Sequence, residues 1–441
     1  MKKSVVYNSI LTVIRHLLGS LIGVVAIIII ARVLGKEGQG EYTLAILLPT
    51  ILYTMLNGGI STATVYFLGQ RKYNLEEVYS TNFISSLALS LVSFIVGLFI
   101  VFFYKDFFFK GIPQQLLLYS MLVLPLLYLQ KNLQTIFQAK EDFERFNFIV
   151  ILNQFGLLLF SVLFVWGLEL GVLGAVLSFG FSQLLMLFVS VRLLRKEYSL
   201  FIPKSFSYDY LKEGFLYGIK GHVSNVLSFV NYRIDMFLLA FFLDNIAVGV
   251  YSIAVTLVER VWLVSHAVSS VLFARVANLS SDEERNKFTS IASRNTLFIT
   301  ALTGLVLLIL GKWIVLILFG LEYESSVKPF LWMLPGVVLF SLGRIIANDF
   351  SGRGRPEINT YVALAVAATN LGLNFILIPI FGIIGAAMAT SASYMLDAVL
   401  KSVIFALQNK VSFLDLVLIK GNDLLLYKTK WLELKQKAFK R

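Results

Sequence analysis

The sequence predicts an all-α polytopic membrane protein, with about 12 transmembrane helices in two six-helix parallel repeats around a central cavity. Three observations predict it. Of 441 residues, 58% are hydrophobic and 15% charged, too little charge to cover a water-soluble chain of this length. Mean hydropathy is +0.80, and the apolar residues fall into runs long enough to cross a bilayer. The third observation is an internal repeat at nearly constant offset.

Each run is justified by the same physics. A helix that crosses hydrocarbon needs roughly 20 apolar residues, because its backbone groups must be satisfied internally. Stretches 8–34, 41–69, 79–104, 113–138, 145–167 and 170–194 qualify in the first half. Stretches 214–243, 246–275, 291–319, 326–350, 357–380 and 382–408 qualify in the second. Outer-membrane strands are about half as long and alternate strictly, so none of these runs reads as a strand. Met1 to Ile30 places two lysines before an apolar run with no small-residue cleavage site, which reads as a retained first helix.

Charge placement sets the expected orientation. One set of loops holds Arg71, Lys72, Lys140, Arg145, Arg195, Lys196, Lys204, Lys212, Arg285, Lys287, Arg353 and Arg355, together with Lys2, Lys3 and the basic tail. The opposite loops hold Lys36, Lys105, Lys110 and Lys328. Both termini are therefore expected in the cytoplasm, and the net charge of +12 reads as a topology signal and not as a nucleic-acid footprint. The expected division is a six-helix lobe at 1–195, a cytoplasmic linker at 196–213, a second lobe at 214–408 and a basic amphipathic tail at 409–441. The tail, with Leu414, Leu416, Trp431 and Leu434 among its lysines, is expected on the anionic inner leaflet, with a solvated, partly disordered tail as the alternative.

The repeat aligns Ala31, Leu34, Gly40, Tyr42, Ala45 and Leu48 with Ala240, Leu243, Gly249, Tyr251, Ala254 and Leu257. A second match pairs Gly171, Gly174 and Ala175 with Gly382, Gly385 and Ala386. Halves with an even number of spans enter the membrane in the same direction, a geometry suited to alternating access around a central substrate.

Several motifs carry a resemblance. Asn370-Leu-Gly-Leu-Asn374 through Pro379, Gly382 and Gly385 to Thr390, Ser393 and Tyr394 resembles the penultimate-helix signature of the Wzx polysaccharide flippases. So do Ala31 to Gly35 with Gly38-Gln-Gly40-Glu-Tyr42, Ser351 to Pro356, and Arg233-Ile-Asp235 followed by Gly249 to Ser252. The resemblance spans essentially the whole chain and places it in the superfamily that also holds the lipid II flippase MurJ and the MATE exporters. It implies movement of an undecaprenyl-pyrophosphate-linked oligosaccharide from inner to outer leaflet, for capsule, O-antigen or exopolysaccharide synthesis. Membrane lipids and the polysaccharide polymerase machinery are the implied partners, with no nucleic acid.

Ionisable groups inside spans are costly unless they meet water or a partner, so they are the candidates for function. Arg15 and His16, with Lys220 and His222, could form a cationic collar for pyrophosphate or snorkel to headgroups. Arg233, Glu259 and Arg260 lie deeper, and Arg233 and Arg260 are candidate substrate ligands, with an Arg233–Glu259 ion pair as the structural alternative. Arg344 and Lys131 are expected to snorkel, and Asp397 and Lys401 to pair locally. Asn57 and Asn225 suit sugar hydroxyls or helix bridging, as does Asn231, and Gly58-Gly59 marks a hinge or a close contact. Asp235 is the candidate for coupling to a Na⁺ or proton gradient, with a structural role as its alternative.

No cofactor, metal or catalytic residue is expected. Cysteine is absent, the three histidines are scattered, and no catalytic loop lies outside the membrane. A MATE-like cation-coupled exporter of small molecules and a non-transporting scaffold of a polysaccharide assembly complex are the competing readings. The basic inner half favours an anionic substrate.

Overall fold

The computed structural model describes residues 5–200, 202–279, 281–421 and 423, leaving out the side chains of 5–17, 220, 270, 271, 274, 277 and 278. In the first half run α1 (Val5–Leu56), α2 (Ile60–Gly69), α3 (Leu75–Phe103), α4 (Lys105–Phe108), α5 (Gln114–Met121), α6 (Leu124–Ala139), α7 (Phe143–Ser161) and α8 (Gly171–Tyr198). In the second run α9 (Tyr208–Phe242), α10 (Asn245–Val258), α11 (Trp262–Asn278), α12 (Asp282–Phe319), α13 (Val327–Gly352), α14 (Glu357–Phe381), α15 (Ile383–Asn409) and α16 (Phe413–Val417). Among the described residues there is no strand, and 11 helices are long and apolar enough to cross a membrane.

The first of those 11 is two passes. Its stretch of 39 residues, Leu18–Leu56, would reach about 58 Å if straight, nearly twice the roughly 30 Å of bilayer hydrocarbon. The chain reverses at Gly35, whose φ of 67° and ψ of −175° leave the helical region and suit a residue without Cβ. On either side of Gly35 the two arms touch the same end of the molecule. Arg32 donates to the carbonyls of Ile317 and Leu318, while Gly40 abuts Asn245. Met55, at the other end of the second arm, accepts a contact from His222 at 2.9 Å. The expected loop between the first two spans thus shrinks to a single glycine, and twelve passes result.

Sequence choices explain where other elements begin and break. Asp142, Ser207 and Asp244 each accept a backbone N–H from the first turn of the following helix, so α7, α9 and α10 start there. The second pass breaks at Asn57-Gly58-Gly59, with φ of 61° at Gly58 and 74° at Gly59. It is also the expected close contact, since a Cβ on Gly59 would lie 2.4 Å from the Gly218 carbonyl oxygen. The eighth pass breaks at a 3₁₀ turn, Glu259–Val261, between α10 and α11.

The end that carries Val5 and Asn409 is termed the near end, and the Gly35 end the far end. The halves share one core in the far part of the molecule, where Ile30, Leu44 and Leu48 pack with Val248, Tyr251, Tyr323 and Phe330. Towards the near end the cores separate. One cluster around Tyr79, Phe137 and Met186 belongs to the first half, and another around Leu297, Phe350 and Phe405 to the second. They are joined there along α2 and α9, where Tyr210 sits among Ala63, Phe67 and Val78 and Tyr66 stacks on Tyr217 at 4.0 Å.

The connection between the halves is pinned to the start of α3, with Lys204 N donating to Ser80 Oγ and Ser207 N to Thr81 Oγ1. The described part of the tail is docked on protein. Leu416 is fully buried beside Leu297 and Phe405, and Arg294 donates to Asp423 at 2.5 and 3.0 Å, which draws that carboxyl down to about 2. Trp431 and Leu434 lie outside the described residues.

Candidate functional site

The face of α9 that meets the first half is set by its 3.6-residue period. Gly218 and His222 touch the α1–α2 break, and Asn225, Phe229 and Arg233 follow on the same side. Asn225 is exposed there and makes no hydrogen bond among the described residues. Arg233 donates to both carboxylate oxygens of Glu259, at 2.8 and 3.4 Å. The ion pair anticipated as the structural alternative therefore forms, and Arg233 is already neutralised.

Glu259 and Arg260 both stand in the 3₁₀ turn, where the backbone N–H pattern changes and one α-helical acceptor is released. Arg260 repairs the break itself, its Nε donating to Thr256 O at 3.1 Å. Its Nη1 crosses to the first half and donates to Ser20 Oγ at 2.7 Å. Glu259 faces Arg233 instead, so Arg260 is a cation between the halves with no carboxylate ion pair among the described residues. Ser20 is not legible in the sequence, because a lone serine in an apolar run carries no signal until α1 and α10 are brought together.

Asp235 is buried on the other side of α9, two residues from Arg233 and facing into the second half. Its carboxylate accepts from Tyr251 Oη at 2.5 Å, Thr390 Oγ1 at 3.1 Å and the Met236 N–H at 2.9 Å. Three helices, α9, α10 and α15, meet at this one group.

The remaining candidates divide. Asn57 donates to the Tyr53 and Thr54 carbonyls and accepts from Gly59 N at 2.9 Å. Its amide is spent on closing the helix break. The side chains of Arg15 and Lys220 lie outside the described residues, as does that of His16. Lys401 pairs with Asp397 at 2.6 Å as expected. Arg344 does not run to the headgroups. It points inside the second half, 4.9 Å from the Trp262 ring centroid and 5.4 Å from that of Phe340, and contacts His266. The aromatic cluster that turns it inward is not legible in the sequence. Among the described residues no group of His, Asp and Glu has the arrangement of a metal site.

An all-helical bundle of twelve passes, with repeated halves fused in the far part and a charged seam between them, defines a multi-pass membrane transporter. The chain belongs to the polysaccharide biosynthesis protein family, whose model matches residues 29–328. Among relatives, it is 22% identical over 395 residues to the capsular polysaccharide biosynthesis protein CapF of Staphylococcus aureus, covering 86% of this chain and 94% of that one. It is 30% identical over 183 residues to the "Probable low-salt glycan biosynthesis flippase Agl15" of Haloferax volcanii, a match that spans 40% of this chain and 38% of that protein. The fold is similar to that of the lipid II flippase MurJ in an inward closed conformation, with TM-score 0.76 at 18% identity over 96% of this chain and 93% of that one. That likeness is one of fold. The resemblance to the polysaccharide flippases read from the motifs is borne out by the family match.

Proposed function

We propose that this protein moves an undecaprenyl-pyrophosphate-linked oligosaccharide from the inner to the outer leaflet of the cytoplasmic membrane, by alternating access, with both termini in the cytoplasm. The observation that carries the reading is Arg260. A guanidinium held between the two halves by one neutral hydroxyl has donors left for an anion, and its planar fork suits a phosphate. The near-end cores, separate apart from the α2–α9 contact, and the fused far part support entry of the substrate from the near, cytoplasmic side. Arg15 and Lys220 would extend the cationic path towards that side, with Asn225 offering its free amide to a sugar hydroxyl. Membrane lipids surround the prenyl chain, and the polymerase machinery receives the product. A Na⁺ or proton gradient supplies the energy, with Asp235 as its ligand. The protein performs no covalent chemistry in this scheme.

The test is polymer export by variants present at normal membrane level. Arg260→Ala is expected to lose about tenfold or more, the scale of one charge-assisted hydrogen bond. Arg260→Lys should retain part of the activity, keeping charge without the fork. Arg15→Ala and Lys220→Ala should also impair export. Normal export by all three alanine variants defeats the proposal.

A further inference from the structure

Inside the second half, away from the seam, α9, α13, α14 and α15 enclose a cavity of about 170 Å³. Asn231, Tyr232, Arg344, Asn359, Asp397 and Lys401 line it. Asn231 is 4% exposed, and the buried oxygen of its amide makes no hydrogen bond among the described residues. Asn359 spends its nitrogen on Ala347 O and Ser351 Oγ, and its buried oxygen has no partner. Lys401 gives one proton to Asp397 Oδ1, while Asp397 Oδ2, lying over the Cα of Gly343, accepts none. Arg344 stacks on Trp262 and Phe340. Tyr232, Trp262, Phe340 and Tyr394 form one aromatic cluster behind it, with centroids 4.8 to 6.1 Å apart.

Unpartnered acceptors stand here beside cationic donors with N–H groups to spare. An anion would meet the Asp397 carboxylate and the amide oxygens. A metal cation would meet Lys401 and Arg344. A hydroxyl group both donates and accepts, and a ring bearing several of them satisfies both sets while laying its C–H face on Tyr232 or Phe340. The volume is below that of pockets for drug-sized ligands and suits a single ring.

We infer that this cavity binds one sugar ring, so that the second half reads the glycan while the seam holds its charged linkage. The inference rests on the proposed function for the identity of the glycan, and its test is independent of transport. Full-length protein in nanodiscs, free of glycosidic detergent, is probed by saturation-transfer NMR with a free hexose, an N-acetylhexosamine and a hexuronic acid. At least one is expected to receive saturation. Ala363→Leu, which fills the cavity without touching its polar groups, should abolish the signal. Asn231→Leu should weaken it without lowering the melting temperature, since it removes a buried amide whose oxygen has no partner.

Two outcomes overturn the inference. One is that no sugar gives a signal above that of Ala363→Leu, which leaves a cavity filled by water alone. The other is an Asn231→Leu variant that melts earlier yet binds sugar unchanged, which makes the amide a packing group. If lipid-linked glycan is flipped and no free sugar binds, this inference fails and the transport reading stands. Sugar binding combined with normal export by the Arg260, Arg15 and Lys220 alanine variants upholds the cavity assignment and defeats the transport reading.

Discussion

Two charged residues, two positions apart on α9, have opposite roles because a helix turns them away from each other. Arg233 meets the seam and is held by Glu259, whereas Asp235 faces inward and accepts three hydrogen bonds. Two of its three donors are hydroxyls, which can rotate and accept instead. Asp235→Asn is therefore expected to fold and reach the membrane at normal level, its new N–H₂ facing Tyr251 and Thr390. Its transport in proteoliposomes should no longer respond to an imposed Na⁺ or proton gradient. A variant that still responds fully would remove Asp235 from coupling and leave it a structural link among three helices. Arg353, part of the Ser351–Pro356 motif, is explained locally: it is held by Asp349 at 2.5 Å and by Asn286 and Asn409 at the near end.

Between elements, the closest approach occurs where the repeat marks it. Residues 40 and 249 are equivalent at an offset of 209, as are 36 and 245. A Cβ on Gly40 would lie 1.8 Å from Asn245 O, and one on Gly249 would lie 1.9 Å from Lys36 O. The contact is reciprocal, as a pseudo-two-fold axis between α1 and α10 requires. Both neighbours are backbone atoms and cannot swing aside. Gly249→Ala should destabilise the purified protein by roughly 1–3 kcal/mol, the range for overpacking. Gly372→Ala, where a Cβ meets nothing within 4 Å, should not. Equal melting temperatures for the two variants would show that the helices slide apart at little cost. The second repeat match is also structural. Gly171 and Gly382 turn the chain at φ of 59° and 61°, and Gly174 and Gly385 then pack on a carbonyl of the preceding segment.

At the scale of the molecule, the charge bias and the two ends can be tested together, because the native chain has no cysteine. Glu37 and Lys110 are exposed at the far end, and Lys204 is exposed at the near end. Gly38 also lies at the far end but is buried, so it is a poor site for a label. Single cysteines at 37 and 110 should react with an impermeant thiol reagent in intact cells, and one at 204 should react after lysis alone. Labelling of 204 from outside would invert the proposed orientation, and the proposed direction of transport with it.

Hydropathy and charge determined that the chain crosses a membrane about twelve times, because the bilayer imposes one length and one kind of backbone on every pass. Motif order determined the family, and glycine spacing marked the places where helices turn or touch. The i,i+4 spacing foretold the Lys401–Asp397 pair, but the sequence held Arg233–Glu259 only as a possibility, since helical phase limits the partners without choosing among them. Only the tertiary structure decided that Glu259 serves Arg233 and leaves Arg260 to cross to Ser20. It decided that Asn57 is consumed by its own helix break and that Arg344 turns inward onto Trp262. The first and the last of those outcomes depend on which faces of separate helices meet, up to 240 positions apart for Arg260 and Ser20, and such contacts have no local signature.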